Sequence, residues 1–530
     1  MSDEVQALAG QAGTSAPADL VRGLGLRDAT MIVVGSMVGS GIFIVSADIA
    51  RQVGSPGLLL VVWLVTGFMT VVGALCYGEL AAAMPHAGGQ YVYLREAFGP
   101  LWGFLYGWAM LMVVQTATIA AVAIAFAKFT GVLAPWFSST TWLWNVGTLG
   151  PFRLWFGELG PYTVGLNTQN LLAILSIVLL TWVNLRGIRT GALVQNLFTY
   201  TKTGALVGVI ALGLLFATES ALRANFGDFW GLPSSAESAT SPVGSDAGWV
   251  GALTLIGVAM VGSLFAADAW NNVTFVGGEV KDPERTLPRS LALGAGLVTV
   301  LYVLINVAYL SVLPLAGTAG AATVLERGIQ FSTEDRVATA VAEVVLGAGG
   351  AAIMAIAVMI STFGCNNGLI LAGARIYYAM ARDRVFFQSV GALNDRHAPA
   401  MALLVQGGWA SLLCLSGSYG QLLDFLIFTV LLFYILTIAG LFVLRRIRPA
   451  LARPYRVWGY PFLPAIYLIL AIFIEVQLLR YKPQYTWPGL IVVLLGIPVY
   501  WAWKKTVLSP PGNGEGVPQG SLSPGGRGRG

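Results

Sequence analysis

Apolar residues occupy this chain in long blocks rather than in stripes, and short polar segments separate the blocks. A stripe with a period near 3.6 residues marks a helix that hides one face from water. A block apolar on every side marks a helix in lipid, where about 20 residues cross a hydrocarbon core about 30 Å thick. Windows of about 19 residues place such blocks at 28–50, 57–83, 100–128, 166–184, 191–217, 249–280, 287–314, 338–381, 401–417, 419–444, 460–479 and 487–505. The pattern predicts an all-α polytopic membrane protein with about 12 transmembrane helices. The block at 338–381 is too long for one crossing, so its first third is expected at the surface and the crossing near 350–375. An outer-membrane barrel would instead show alternating segments of about 10 residues.

Two blocks are interrupted near their middles. The first carries Gly35, Gly39 and Gly41 around Ser36 and Ser40, and the sixth carries a polar break at Asp268, Ala269, Trp270, Asn271 and Asn272. An odd number of spans separates their positions, so the two interrupted helices cross in opposite directions. This predicts inverted repeats of helices 1 to 5 and 6 to 10, with helices 11 and 12 outside them. Broken helices at corresponding places of two halves point to a substrate site at the midplane of a secondary transporter.

Composition removes the soluble alternatives. Of 530 residues, 56% are hydrophobic and 10% are charged, with a mean hydropathy of +0.74, whereas a soluble domain carries roughly 25% charge. The net charge of +5 is a topology signal rather than a nucleic-acid footprint. One set of loops holds 18 Lys and Arg and the opposite set holds 8, which predicts both termini in the cytoplasm. The three cysteines, Cys76, Cys365 and Cys414, all fall inside apolar spans and form no disulfide framework or metal-ligand spacing. Residues 1–27 lack an apolar core of signal-peptide type, so no cleaved leader is expected, and neither end carries a lipidation motif. The loops at 131–165 and 219–248 are long enough to hold short surface helices.

The expected organisation is a cytoplasmic segment 1–27, a first repeat 28–217, an extracytoplasmic loop 218–248 and a second repeat 249–444. A basic loop with helices 11 and 12 follows at 445–507, then a disordered cytoplasmic tail at 508–530, rich in Gly, Pro and Ser.

Candidate chemistry sits at the interruptions. Around Gly39-Ser40-Gly41 the backbone can unwind and present amide N–H groups at a half-helix N-terminus, where partial positive charge suits a carboxylate. Carbonyls just before the break, such as that of Met37, can accept from an ammonium group. Close small-residue helix packing explains the same glycines less fully once the break in helix 6 is added. Asp268 either caps the second half-helix or contacts substrate, since an ionisable group at this depth faces a cavity or a partner. Phe265 and Trp270 read from the residues alone as packing.

Lys202 stands eleven positions after Gly191, about 16 Å along the axis at 1.5 Å per residue, near the middle of the hydrocarbon core. Snorkelling cannot carry its amine to water from there. The ammonium is expected either to hold the place of a sodium ion between helices 1 and 8 or to exchange a proton during transport. Glu79, Arg375, Asp424 and Glu475 lie nearer the interfaces, where pairing or snorkelling accounts for them. The two histidines, His86 and His397, fall in loops. No convergent acid, base or nucleophile stands out, so no enzyme is expected, and no cofactor or metal.

Taken together, these residues resemble the L-type amino acid transporters and their bacterial relatives, within the amino acid, polyamine and organocation superfamily. The resemblance rests on Val34-Gly35-Ser36-Met37-Val38-Gly39-Ser40-Gly41-Ile42-Phe43 and on Met84-Pro85-His86-Ala87-Gly88-Gly89-Gln90-Tyr91-Val92-Tyr93. It extends through Phe265 to Asn271, Glu279, Pro283 and Pro288, Asn367-Gly368, Arg382-Asp383 and Arg453-Pro454-Tyr455. It implies a LeuT-like fold and an amino-acid site between helices 1 and 6. On that resemblance the backbone at Ser40 and Gly41 meets the substrate carboxylate, and carbonyls at Met37, Phe265 and Asp268 meet its ammonium. The Phe265 ring becomes an outer gate, Trp270 and Asn271 support the broken segment, and Lys202 matches a lysine associated with sodium independence.

Residues 129–165 contain no cysteine, so no disulfide-linked heavy chain is expected, and the chain resembles a stand-alone prokaryotic relative in a plasma or inner membrane. The expected partners are an L-amino acid and the lipid bilayer. The expected function is sodium-independent transport by alternating access, as an exchanger of small or medium neutral amino acids. The rivals are a proton-coupled symporter and, from another class, a channel or membrane sensor.

Overall fold

The computed structural model describes residues 20–154, 157–159, 161–231, 249–415 and 426–508. The first predicted span is two helices, α1 (Leu26–Met37) and α2 (Gly41–Val53), bent by 40° across the residues between them. After α3 (Pro56–Ala83) and a short α4 (Gln90–Phe98), the third span is built from α5 (Pro100–Ala109), a π-helical turn at Met110–Val114 and α6 (Gln115–Leu133). Then come α7 (Thr168–Leu185), α8 (Ile188–Leu215) and the short α9 (Glu219–Gly227). The sixth span is again divided, into α10 (Trp249–Ala266) and α11 (Asn272–Phe275). The remainder is α12 (Pro283–Val312), α13 (Val324–Arg327), α14 (Val337–Leu346), α15 (Ala348–Arg382), α16 (Ala400–Leu413), α17 (Leu426–Ile447), α18 (Phe462–Tyr481) and α19 (Pro483–Leu508).

Among the described residues, nine helices are long and apolar enough to cross a membrane, and the bent pair α1 and α2 makes a tenth. The sixth and ninth predicted blocks appear as the shorter apolar helices α10 and α16. The architecture is that of a polytopic, all-α membrane protein. The long block at 338–381 divides at Gly347, whose φ of 70° lies in the left-handed region that glycine tolerates. That separates a short α14 from the crossing helix α15.

Two expectations need correction. Residues 131–165 hold strands rather than surface helices: β1 (Trp142–Leu149) pairs antiparallel with β4 (Tyr162–Asn167), and β2 (Phe152–Leu154) with β3 (Gly157–Leu159). The reason is composition, since β1 is built of aromatic and β-branched or aliphatic residues with Asn and Gly among them and offers no helix-forming run. The second loop does carry a surface helix, α9. Glu475 neither pairs nor snorkels: it is buried on α18, and both its carboxylate oxygens lack a partner among the described residues. Asp424 and the tail from 509 onward lie outside the described residues.

Packing explains how the two divided spans meet. α10 lies along α2 while α11 lies against α1, so each N-terminal half packs on the other span's C-terminal half. α12 packs on α3 and α1, and α15 packs on α6, α8 and α1. At one end of the bundle the chain before α1 is tied to the segment after α11: Gly23 and Leu24 donate their amides to the Glu279 carbonyl at 2.9 and 3.0 Å. The Glu279 carboxylate accepts two bonds from Arg375, at 2.8 and 3.1 Å, with both side chains buried. Glu79 likewise accepts from Arg445 and from the Val457 amide. Arg375 and Glu79 are therefore structural pairs, in which losing one partner would strand a buried charge.

Candidate substrate site

α1 stops at Met37 because the backbone leaves the helical region at Val38, where ψ is 87°. The Gly39 amide folds back to the Met37 carbonyl at 2.8 Å, and α2 begins at Gly41 with Ser40 as its N-cap. Gly41 is required by proximity: a Cβ there would stand 2.8 Å from both Cα and Cβ of Ala266, at the end of α10. This glycine therefore sets how closely the two breaks approach. The first turn of any helix presents amides without intrahelical acceptors and the positive end of its dipole, and α2 begins at this junction.

The second break contains no glycine. Past Ala266, the Ala267 amide still reaches the Ser263 carbonyl at 2.9 Å, and the Asp268 amide reaches the Phe265 carbonyl at 3.1 Å. Ala269 then adopts a φ of 66°, a left-handed conformation that a side chain disfavours and that its surroundings must hold. Three attachments hold it. The Asp268 carboxylate accepts from the Tyr434 hydroxyl at 2.5 Å. The Asn271 amide donates to Gln90 Oε1 at 2.9 Å, and Gln90 Nε2 donates in turn to the Phe433 carbonyl and to Thr437 Oγ1. The buried Trp270 ring meets Tyr77 and Tyr434 at centroid distances of 4.7 and 5.2 Å.

Lys202 on α8 is fully buried. Its ammonium donates to the Gly35 carbonyl, to the Val38 carbonyl at 2.8 Å and to the Ser361 carbonyl on α15 at 3.5 Å. The Ser361 hydroxyl donates to the Val38 and Gly39 carbonyls at 3.1 and 3.2 Å. Carbonyls exposed by the unwinding of the first span are thus gathered around one cation and one hydroxyl.

Met37, Ser40, Gly41, Phe265 and Asp268 all line one small cavity, with Thr118 and Cys365 opposite. Trp270 lines a second cavity beside Thr70 and Tyr467, and Asn271 a third beside Gln90 and Tyr106. Asp268 borders all three, whereas Lys202 borders none and sits behind the break. The side chain of Asp268 does not cap α11, whose N-cap is Asn271 and has no side-chain cap bond.

Sequence reasoning passed over Tyr302, Ser361 and Tyr434. The Tyr302 hydroxyl stands 3.0 Å from both the Met37 and the Ala266 carbonyls and bridges the two breaks. A phenol at mid-depth of an apolar span was the available signal. Among the described residues there is no group of His, Cys, Asp or Glu able to hold a metal ion.

Two broken spans of a helical membrane bundle thus meet end to end around one small cavity, and the family and relatives of this chain are transporters. The chain belongs to the amino acid permease family, whose model matches residues 24–502. It is 33% identical to the human large neutral amino acids transporter small subunit 2 over 484 residues, covering 91% of this chain and 80% of that protein. It is 30% identical to the human Asc-type amino acid transporter 1, covering 92% of this chain and 83% of that one. It is also 28% identical to the mouse b(0,+)-type amino acid transporter 1, over 93% and 91%.

Proposed function

We propose that this protein is a sodium-independent exchanger of small or medium neutral L-amino acids that works by alternating access. The observation that carries the reading is the pairing of breaks at Gly41 and Ala266, which leaves a helix N-terminus and unwound carbonyls around one small cavity. A zwitterion complements it, with its carboxylate at the Ser40 and Gly41 backbone and its ammonium at the carbonyls of Met37, Phe265 and Asp268. Phe265 forms the lid on that cavity, and Trp270 and Asn271 brace the broken segment. Lys202 stands where a cation is needed to hold the carbonyls of the first span to α15, and this supports sodium independence.

The excess of Lys and Arg in one set of loops supports cytoplasmic termini and a plasma or inner membrane. The absence of cysteine from residues 129–165 supports a stand-alone, prokaryotic relative without a disulfide-linked heavy chain.

The test is uptake of labelled neutral amino acids into proteoliposomes in sodium-free buffer, with and without unlabelled amino acid inside. Strong stimulation by internal substrate is expected. Equal uptake into empty vesicles would remove exchange from the mechanism, and an imposed proton gradient would then examine the symporter alternative. In that alternative Lys202→Ala loses a proton dependence that the wild type shows.

A further inference from the structure

Asp268 is a carboxylate at membrane depth that the transport reading uses only through its backbone. Among the described residues no Lys, Arg or His pairs with it; its oxygens have the Tyr434 hydroxyl and the adjacent Ala269 amide. A buried carboxylate without a cation is expensive and is retained where it faces a cavity or a ligand. Asp268 does face cavities. With Thr118 and Ala269 it forms the wall shared by the cavity at the two breaks and the neighbouring one lined by Gln90, Tyr106 and Asn272. An amino acid whose head group occupies the cavity at the breaks would send its side chain past Asp268 into this neighbouring one.

The cavity lined by Gln90 and Tyr106 has unspent hydrogen-bonding capacity. Asn272 Nδ2 and the Tyr106 hydroxyl are buried and without a partner among the described residues, and both residues line it. The subsite thus offers an acceptor at its entrance and donors beyond. Hydrocarbon side chains satisfy neither, and each buried polar group left unmet weakens binding. A cationic side chain meets the acceptor but leaves the donors unmet. A hydroxyl or carboxamide side chain both donates and accepts, and so meets both.

We infer that Asp268, Asn272 and Tyr106 form a side-chain subsite that selects amino acids with hydroxyl or carboxamide side chains over their aliphatic isosteres. The inference rests on the proposed amino-acid transport and names the substrate class of the same site.

The test uses the full-length chain in proteoliposomes and compares near-isosteric pairs, threonine against valine and asparagine against leucine, with alanine as the reference and ornithine as the cationic arm. Wild-type kcat/KM is expected to favour threonine over valine and asparagine over leucine by about tenfold or more. In Asp268→Ala both ratios fall toward one, and in Tyr106→Phe the asparagine to leucine ratio falls several-fold. The wild-type ratios and the Tyr106→Phe arm decide the matter should Asp268→Ala fail to insert. Wild-type ratios near one with alanine transported would overturn the subsite and leave the transporter reading standing. Ornithine preferred over asparagine would overturn it in favour of simple charge attraction, and no transport of any amino acid would overturn both readings.

Discussion

The two breaks do the same geometric job with opposite means. The first is made by removing side chains: Gly39 and Gly41 free the backbone, and bracing comes from outside, through Lys202 and Ser361. The second has no glycine. It forces Ala269 to a φ of 66° and holds it with groups on the break itself, Asp268 to Tyr434, Asn271 to Gln90 and Trp270 against two tyrosines. The first break is thus permissive and braced by a buried cation, while the second is strained and braced by specific side-chain contacts of its own residues. Polar side chains of the second are left facing cavities, which is why the proposed subsite lies on that side.

The sharpest way to break this comparison is Gly41→Leu. With only 2.8 Å available before even a Cβ meets Ala266, the two breaks must separate, and uptake should fall on the order of 100-fold or more while the protein still inserts. Unchanged transport would remove the contact from the mechanism. Lys202→Met comes next, because it leaves the Gly35 and Val38 carbonyls without their cation. A loss of about 3 kcal/mol of stability is expected, read as a lower thermal midpoint in detergent, and an undiminished midpoint would mean that the first break holds without its brace.

Phe265→Ala should raise the apparent KM about tenfold, equivalent to 1.4 kcal/mol, by opening the cavity that Ser40 and Gly41 share with this ring. Wild-type affinity and turnover together would remove Phe265 as the lid. Asn271→Ala should cost about 1 kcal/mol by freeing Gln90, also visible in the thermal midpoint. The smallest effect sharpens the contrast: Ala269→Gly should relieve the left-handed backbone and stabilise the fold by up to about 1 kcal/mol. Destabilisation there would show that the second break is not strained.

Much of the architecture was legible because lipid imposes a simple rule. Without water, backbone groups must bond within their own helix, so crossing helices declare themselves as apolar blocks. Gly35, Gly39 and Gly41 were readable for the same reason, since repeated glycine near mid-span invites unwinding, and so was Lys202, whose distance from either helix end forbids exposure. The strands between Trp142 and Asn167 were not readable, because outside the bilayer that rule lapses and a β-rich run resembles any polar loop. The partners of the breaks were hidden as well. Tyr302, Ser361 and Tyr434 are ordinary residues in apolar spans, and Ser361 lies 322 positions from the Gly39 carbonyl it reaches.

The sequence by itself determined the membrane class, the places where helices break and the presence of a cation and a carboxylate too deep to be idle. Those properties follow from the cost of polar groups in hydrocarbon, which each segment meets alone. Only the tertiary structure decided which groups answer one another: that Lys202 faces the carbonyls of the first break, that Tyr434 rather than a helix cap engages Asp268, and that unpartnered donors lie beyond it. Such pairings depend on how helices remote in sequence turn and pack, and periodicity within one helix carries no information about the face its neighbour presents.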